Sequence, residues 1–177
     1  EHHLRYLGTG GLGYYHLSDT YIALFSHFIP CGVYEAVYIL DGLLKNQSDI
    51  QPDTIHGDTQ SQSEAVFGLA YLLGIKLMPR IRGIKHLKLY RISKEDHFKH
   101  IDTLFKDTIK WELIESCLPD MLRIALSVKA GRINASTILR RLGTYSRKNK
   151  LYLALRELGR VVRTVFLLQY IAEAEIR

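Results

Sequence analysis

A strand pattern and a helix pattern, joined by a short polar run, occupy residues 54–74. This arrangement constrains the fold more than any other feature of the sequence. Residues 54–57, TIHG, suit an extended strand, and a polar run separates them from the helix. The apolar residues of the helix recur at helical spacing: Val66, Phe67, Ala70 and Leu73. Gly74 is suited to cap its end. Asp58 falls at the junction, and α/β sheets commonly bind ligands at the carboxyl ends of their strands.

The remaining patterns predict an α/β chain with strands mainly in its first half. Aromatic and β-branched residues predict further strands at 14–19, 21–29, 75–81 and 88–92. The first two form a hairpin around Asp19, which we interpret as a turn-forming acid, with a contact to the Asp58 site as the alternative. Apolar spacing predicts a helix at 33–44, two helical segments that meet near Pro119, a helix capped by Asn134 or Ser136 that ends at Gly143, and a last helix at 149–173.

Length and composition indicate one domain or most of one. The chain has 177 residues, of which 47% are apolar, and this is enough to bury a core. It begins at Glu1 rather than methionine, so we expect an excised piece of a longer protein. Cys31 and Cys117 match no metal-ligand spacing and are expected to be reduced, buried thiols of a cytoplasmic protein. No segment resembles a signal peptide or a membrane span, so we expect a soluble protein without a membrane partner.

Short motifs argue against several enzyme classes. GTGGLG, at 8–13, fits the dinucleotide fingerprint, but it leads into a strand pattern rather than a helix, so we predict no dinucleotide cofactor. The histidines show no zinc-protease spacing, and no serine lies in a GxSxG turn. His56 shares a strand face with Asp58. We interpret it as a structural or solvent-facing residue, with an approach to the site as the alternative.

Charge is divided unevenly along the chain. Residues 1–75 carry two basic and eight acidic side chains, whereas residues 76–177 carry 22 basic and ten acidic ones. Within 129–163 there are ten lysines and arginines and one acid, Glu157. Like charge of this density favours an anionic partner, and a nucleic-acid backbone is the usual one.

A stripe of arginines marks the last predicted helix. Arg156, Arg160 and Arg163 fall at i, i+4 and i+7 and therefore share one face. We find no acid at a spacing that would pair with them, so we predict that this edge faces DNA. The alternative is that their stems pack at the boundary of the core while their charged ends reach solvent.

Several blocks of the sequence resemble the catalytic region of the TnpA-type DDE transposases of class II, cointegrate-forming bacterial transposons. The blocks follow the family's order from about residue 5 to residue 177, and they include SDTYIALFSHFIPC, YILDGLL, IHGDT, AVFGLAYLLG, KLMPRIR and ALRELGR. The chain departs from the family at three places. Gly57 replaces a β-branched or polar residue, Gln60-Ser61 replaces a small, usually glycine-containing pair, and Glu64 replaces an aspartate.

The resemblance implies an RNase H-like (retroviral-integrase-type) α/β core interrupted by a helical insertion. The expected segments are 1–92 for the core strands and helices, 93–148 for the insertion and 149–177 for a core helix. Residues 14–92 are expected to form one mixed sheet, with Asp58 ending a strand beside the first strand of the piece. Asp41, in LDGLL, is interpreted as a structural acid.

The resemblance also implies the chemistry of the site. Three carboxylates of a DDE enzyme hold two Mg²⁺ ions (or Mn²⁺), which support hydrolysis of a phosphodiester and then attack of the freed 3′-OH on target DNA. Asp58 matches the second carboxylate, so it is the expected catalytic and metal-binding residue. The first aspartate and the third glutamate are expected outside the chain, and the chain alone is expected to be inactive.

The expected partners follow from this chemistry. They are double-stranded DNA, both the terminal inverted repeats and the target, and a second copy of the full-length enzyme. Predicted DNA contacts are basic residues of the second half: Arg80, Arg82, Arg140, Arg141, Lys148, Arg156, Arg160 and Arg163. Two alternatives remain open. One is a non-catalytic nucleic-acid-binding module, and the other is an RNase H-like nuclease or resolvase unrelated to transposition.

Overall fold

Short strands and five α-helices make up the described part of the chain. The computed structural model describes residues 2–3, 8–30, 35–46, 49, 52–83, 88–144 and 148–173. The strands are β1 (His2–His3), β2 (Gly8–Thr9), β3 (Gly11–Leu17), β4 (Ala23–Pro30), β5 (Thr54–Gly57), β6 (Lys76–Pro79), β7 (Leu89–Arg91) and β8 (Phe105–Thr108). The helices are α1 (Ile39–Leu44), α2 (Glu64–Leu73), α3 (Trp111–Lys129), α4 (Ala135–Thr144) and α5 (Lys150–Ala172). Short 3₁₀ helices lie at Glu35–Tyr38, Thr59–Gln62 and Asp102–Leu104.

The strands pair two by two, so the expectation of one mixed sheet is wrong for the described residues. Strands β1–β2 and β3–β4 pair antiparallel, whereas β5–β6 and β7–β8 pair parallel. Asp58 therefore ends a strand that pairs with β6 and not with the hairpin. A cavity of about 600 Å³, lined by residues of β3 and β5, lies between the hairpin and β5, and the hairpin packs against α1.

The predicted strand–helix unit around Asp58 is confirmed. Strand β5 ends at Gly57, and α2 ends at Leu73 with Gly74 as its cap, whose φ of 78° is the left-handed conformation that favours glycine at a helix end. Asn149 caps the last helix, since its side chain accepts a hydrogen bond of 3.1 Å from the backbone N–H of Tyr152. The helix predicted from Val33 begins as a 3₁₀ turn at Glu35, and Val33 itself lies outside the described residues.

Helix α3 runs without a break through Pro119, so the prediction of two segments is wrong. Proline removes one backbone hydrogen bond of a helix. The buried side chains nevertheless keep helical spacing across it: Ile114, Cys117, Met121, Ala125 and Val128. Burial of this continuous stripe outweighs the missing bond, because most helix stability in proteins comes from packing an apolar face. Cys117 is a free, buried thiol, as predicted, and Cys31 lies outside the described residues.

Strand β8 falls within the segment that the sequence predicts to be helical. It contains one buried residue, Phe105, and it pairs with β7. The secondary structure after Lys94 is therefore not purely helical. The division into 1–92, 93–148 and 149–177 stays a prediction.

The core is built around the crossing of α2 and α5. Gly68 on α2 and Gly159 on α5 face each other, and a Cβ on either glycine would overlap backbone of the opposite helix. The Phe67 and Phe166 rings pack beside the crossing, with centroids 5.8 Å apart. The two backbones are therefore in direct contact, which fixes how the helices cross. Among the described residues, no helix combines the length and apolar character needed to cross a membrane.

Candidate carboxylate site and nucleic-acid interface

Asp58 lies at the carboxyl end of a parallel strand pair. It follows Gly57, which is opposite Pro79 at the end of β6, and its side chain is exposed. The 3₁₀ turn that follows folds back on it. The backbone N–H of Ser61 donates to the Asp58 carbonyl at 3.2 Å, and the Ser61 hydroxyl donates to Asp58 Oδ1 at 3.4 Å. The turn thus holds the carboxylate at the strand end, where it is open to a ligand.

Gly57 and Ser61, two positions expected to depart from the family pattern, are in contact with each other. Ser61 is fully buried, and a Cβ on Gly57 would overlap its side chain. A residue without a side chain at 57 therefore leaves room for the serine at 61. This complementarity keeps the loop compact.

A second acid approaches Asp58. Burial and the negative charge of Asp58 raise the pKa of Glu35, in the 3₁₀ helix ahead of α1. Burial, Asp58 and Glu35 raise the pKa of the Tyr14 phenol on β3 above its ordinary value. Groups from three separate segments therefore converge. Glu35 was not predicted from the sequence, because nothing in its local pattern distinguishes it from a solvated helix acid.

The donor chemistry at this place fits part of a magnesium site. Carboxylate oxygens are the ligands that Mg²⁺ prefers, and Asp58 offers one on an open strand end with Glu35 nearby. Within the described residues, no group of three histidine, cysteine, aspartate or glutamate side chains could hold a metal ion. The described residues therefore fit a magnesium site only as the source of one ligand, the Asp58 carboxylate.

Asp19 and His56 both line the cavity between the hairpin and β5. Asp19 is in a turn, in which the backbone N–H of Tyr21 donates to the carbonyl of Ser18 at 3.0 Å. Its predicted turn role is thus confirmed. His56 is exposed on β5, in agreement with the solvent-facing interpretation.

Asp41 has a structural position, as predicted. Its buried carboxylate accepts hydrogen bonds from the backbone N–H and the hydroxyl of Ser136, in the first turn of α4. Asp41 thereby caps α4 from a neighbouring helix, and it is not available to a ligand.

The arginine stripe of α5 is answered by an acid, so the statement that no acid pairs with it is wrong. The Glu64 carboxylate, in the first turn of α2, lies 3.0 Å from Arg156, 3.1 Å from Arg160 and 3.7 Å from Arg163. The sequence hides this pairing because Glu64 is 92 residues from Arg156 in the chain. The stripe faces α2, and the exposed fraction of the Arg163 side chain is only 15%.

Further groups complete this cluster around Glu64. The Tyr90 hydroxyl donates to Glu64 at 2.8 Å, and Arg160 also contacts Glu157 at 2.6 Å. Burial raises the pKa of Glu64. The hydrogen bond from Tyr90 and the charges of Arg160 and Arg156 lower it by more than burial raises it, so the pKa of Glu64 lies below its ordinary value. Burial and the bond to Glu64 raise the pKa of Tyr90 to about 12.

The other predicted DNA contacts are on the surface. They are Arg80, Arg82, Arg140, Arg141 and Lys148, and all are exposed. Arg80 and Arg140 flank the turn that follows Asp58. The Arg80 carbonyl accepts a hydrogen bond of 3.2 Å from the Gln62 side chain. Arg140 and Ser63 line one cleft of about 320 Å³. Arg140 also donates to the Tyr38 hydroxyl at 3.1 Å.

Comparisons with known proteins agree with the resemblance seen in the sequence. The family model described as Tn3 transposase DDE domain matches residues 1–177. The transposase for transposon Tn501 of Pseudomonas aeruginosa is 38% identical over 95% of the chain, and the transposase for transposon Tn1546 of Enterococcus faecium is 35% identical over 96%. The transposase for transposon gamma-delta of Escherichia coli is 33% identical over 98%.

These relatives are much longer proteins. The chain spans 17% of the Tn501 and Tn1546 transposases and 18% of the gamma-delta transposase. No solved structure matches the chain. The match nevertheless includes the whole chain, and the chain therefore belongs to the Tn3 transposase DDE domain family.

Proposed function

We propose that the chain supplies the second carboxylate, Asp58, of an RNase H-like catalytic centre in a transposase. The observation that carries the proposal is the placement of Asp58 on an open end of a parallel strand pair, held by a turn that leaves its carboxylate exposed. The centre would cleave transposon ends and join each 3′-OH to target DNA. The first aspartate and third glutamate would come from other parts of the full-length enzyme.

Asp58 would hold Mg²⁺ or Mn²⁺ together with those two carboxylates. The bound metal would supply Lewis-acid activation of water in the first displacement and of the 3′-OH in the second. Within this chain, the Ser61 backbone N–H donates to the Asp58 carbonyl and the Ser61 hydroxyl donates to the Asp58 carboxylate, so the turn supports Asp58 at the strand end. Asp58 would hold the metal for both steps, so the same carboxylate would serve hydrolysis and strand transfer.

We propose that duplex DNA approaches along the exposed cations. Arg80 and Arg140 flank the turn after Asp58, and phosphate contacts at these places would set the DNA backbone near the carboxylate. Arg82, Arg141 and Lys148 are also exposed, and we propose them as further phosphate contacts. A transposon has two ends, each of which must be cut, and we propose that a dimer of the full-length enzyme supplies one catalytic centre for each end.

The test uses a full-length transposase that carries this chain. Asp58→Ala should abolish cleavage and strand transfer on a terminal-repeat duplex with Mg²⁺, while gel-shift affinity for that duplex stays within about twofold, because backbone contacts supply most of the binding. Asp53→Ala, an exposed aspartate at the other end of β5, is the matched control and should remain active. Cleavage by the Asp58→Ala enzyme would overturn the proposal.

A further inference from the structure

The Glu64 carboxylate ties the loop of Asp58 to the opposite side of the core. Glu64 is the first residue of α2, and only the 3₁₀ turn and Ser63 separate it from Asp58. Its side chain is 14% exposed. It receives hydrogen bonds from Arg156 and Arg160 on α5 and from Tyr90 on β7. A largely buried carboxylate that accepts from two guanidinium groups and a phenol is strongly fixed in place.

The backbone reinforces the same connection. The Glu64 carbonyl lies against Gly159, where a Cβ would overlap it, and the Gln62 side chain joins the turn to the Arg80 carbonyl. The beginning of α2 therefore cannot slide along α5 without breaking both the ion pairs and the close packing. Any shift of Glu64 is transmitted to Asp58 through a turn whose Ser61 is fully buried.

We propose that Glu64 is a positioning residue that sets the distance between Asp58 and the metal-binding groups that complete the centre. The proposal rests on the function proposed for Asp58. The glutamate expected after α5 would be placed by the helix that Glu64 holds through Arg156 and Arg160. The ion-pair cluster would thus fix the Asp58 loop and α5 with respect to each other. Removal of groups that orient metal ligands typically weakens metal binding about 10–100-fold.

The experiment measures Mn²⁺ affinity directly. The full-length transposase carrying this chain, bound to a terminal-repeat duplex, is titrated with Mn²⁺, and unbound Mn²⁺ is quantified by electron paramagnetic resonance. Sites that disappear in Asp58→Ala define the relevant binding. Glu64→Gln keeps the size of the side chain but removes its charge, and it should weaken these sites about tenfold.

The matched control is Asp102→Asn. Asp102 pairs with Arg91 at 2.9 Å, so its replacement also removes an ion pair, one that does not include Glu64. It should leave Mn²⁺ affinity unchanged. Thermal unfolding of each variant separates reduced stability from reduced affinity, because a purely structural role of Glu64 lowers the melting temperature and leaves the affinity of the folded enzyme at the wild-type value.

Arg156→Gln provides a second, milder change, since Arg156 is the most exposed of the three arginines. It should weaken the Asp58-dependent sites about threefold, and it serves in place of Glu64→Gln if that variant does not fold. Wild-type Mn²⁺ affinity in the folded variants would overturn the positioning role. If Asp58→Ala itself retains every Mn²⁺ site, the function proposed for Asp58 fails instead, and the two failures are distinguishable.

Discussion

Asp41 and Ser136, 95 residues apart in the chain, form a buried helix cap in which one carboxylate accepts both the backbone N–H and the hydroxyl of the serine. The LDGLL block therefore carries a link between α1 and α4 rather than a catalytic acid.

Removal of this cap should destabilise the fold. Asp41→Ala should lower the free energy of unfolding by about 2 kcal/mol, because it removes a helix cap and leaves buried donors of Ser136 unpaired. Urea unfolding followed by circular dichroism measures the change. Asp120→Ala, at an exposed ion pair with Arg123 on α3, should cost less than about 0.5 kcal/mol. Equal costs in the two variants would contradict the cap.

Alanine should have opposite effects at two helical glycines. Gly159→Ala should destabilise the chain by about 1–3 kcal/mol despite the better helix propensity of alanine, because its Cβ overlaps the Glu64 carbonyl. At Gly143 the nearest atom to a Cβ is 3.8 Å away, on Tyr152, so Gly143→Ala should stabilise the chain by about 0.5 kcal/mol. Thermal and urea unfolding give both signs, and stabilisation at Gly159 would refute the contact.

The Glu64 cluster should make stability depend on pH at the acidic end. The pKa of Glu64 is lower in the folded state, so its contribution is fully present above the unfolded pKa, about 4.3, and disappears as the pH falls through the folded value. The difference in unfolding free energy between the wild type and Glu64→Gln should therefore shrink below about pH 4. Urea titrations from neutral to acidic pH measure it.

A neutral-pH control belongs with that titration. Glu115→Gln removes a negative charge from an exposed position on α3, and at neutral pH it should change the unfolding free energy by less than about 0.5 kcal/mol. A difference between the wild type and Glu64→Gln that stays constant throughout the acidic range would show that the Glu64 charge contributes nothing to folding.

DNA binding should separate the exposed cations from the paired ones. Arg80→Gln with Arg82→Gln should flatten the dependence of log affinity on log salt by about two units, one for each phosphate that is no longer neutralised. Arg156→Gln with Arg160→Gln should instead lower stability and leave the salt slope unchanged, since both arginines face Glu64. Filter binding of a random duplex at several salt concentrations measures the slopes. The reverse pattern would move the DNA path onto α5.

The chain alone should not cut DNA. One carboxylate does not hold two metal ions in catalytic geometry, so a terminal-repeat duplex incubated with the chain and Mg²⁺ or Mn²⁺ should stay intact on a denaturing gel. The full-length enzyme is the positive control. Metal-dependent nicking by the chain that disappears in Asp58→Ala would show that the chain contains a complete centre.

Local signals in the sequence were sufficient for the elements next to Asp58. Gly74 marks a helix end correctly because the chemistry of a cap depends on a few neighbouring residues. The prediction of a helix break at Pro119 was wrong for the converse reason. The hydrogen bond that proline removes is outweighed by a buried stripe of side chains, which forms only through tertiary packing. Strand β8 was missed because it carries a single buried side chain and no alternation.

The site was predictable only in part. Asp58 stands out through its place between a strand and a helix, whereas its neighbour Glu35 comes close only after the chain folds. The arginine stripe was recognised, but its partner was not, because spacing along one helix contains no information about an acid on another helix. Contacts between side chains that are far apart in the chain, such as Glu64 and Arg156, are not predictable from the sequence pattern.

The contact between Gly68 and Gly159 has a consequence for synthesis of the protein. The two glycines are separated by 91 positions in the chain, so at about 5–20 residues per second the ribosome needs roughly 5–20 s to deliver the second after the first. During this interval α2 has no α5 to pack against, and its apolar face is open to chaperones or to another nascent chain. Glu64, at the start of α2 and six residues after Asp58, gains its Arg156 and Arg160 partners only when α5 emerges.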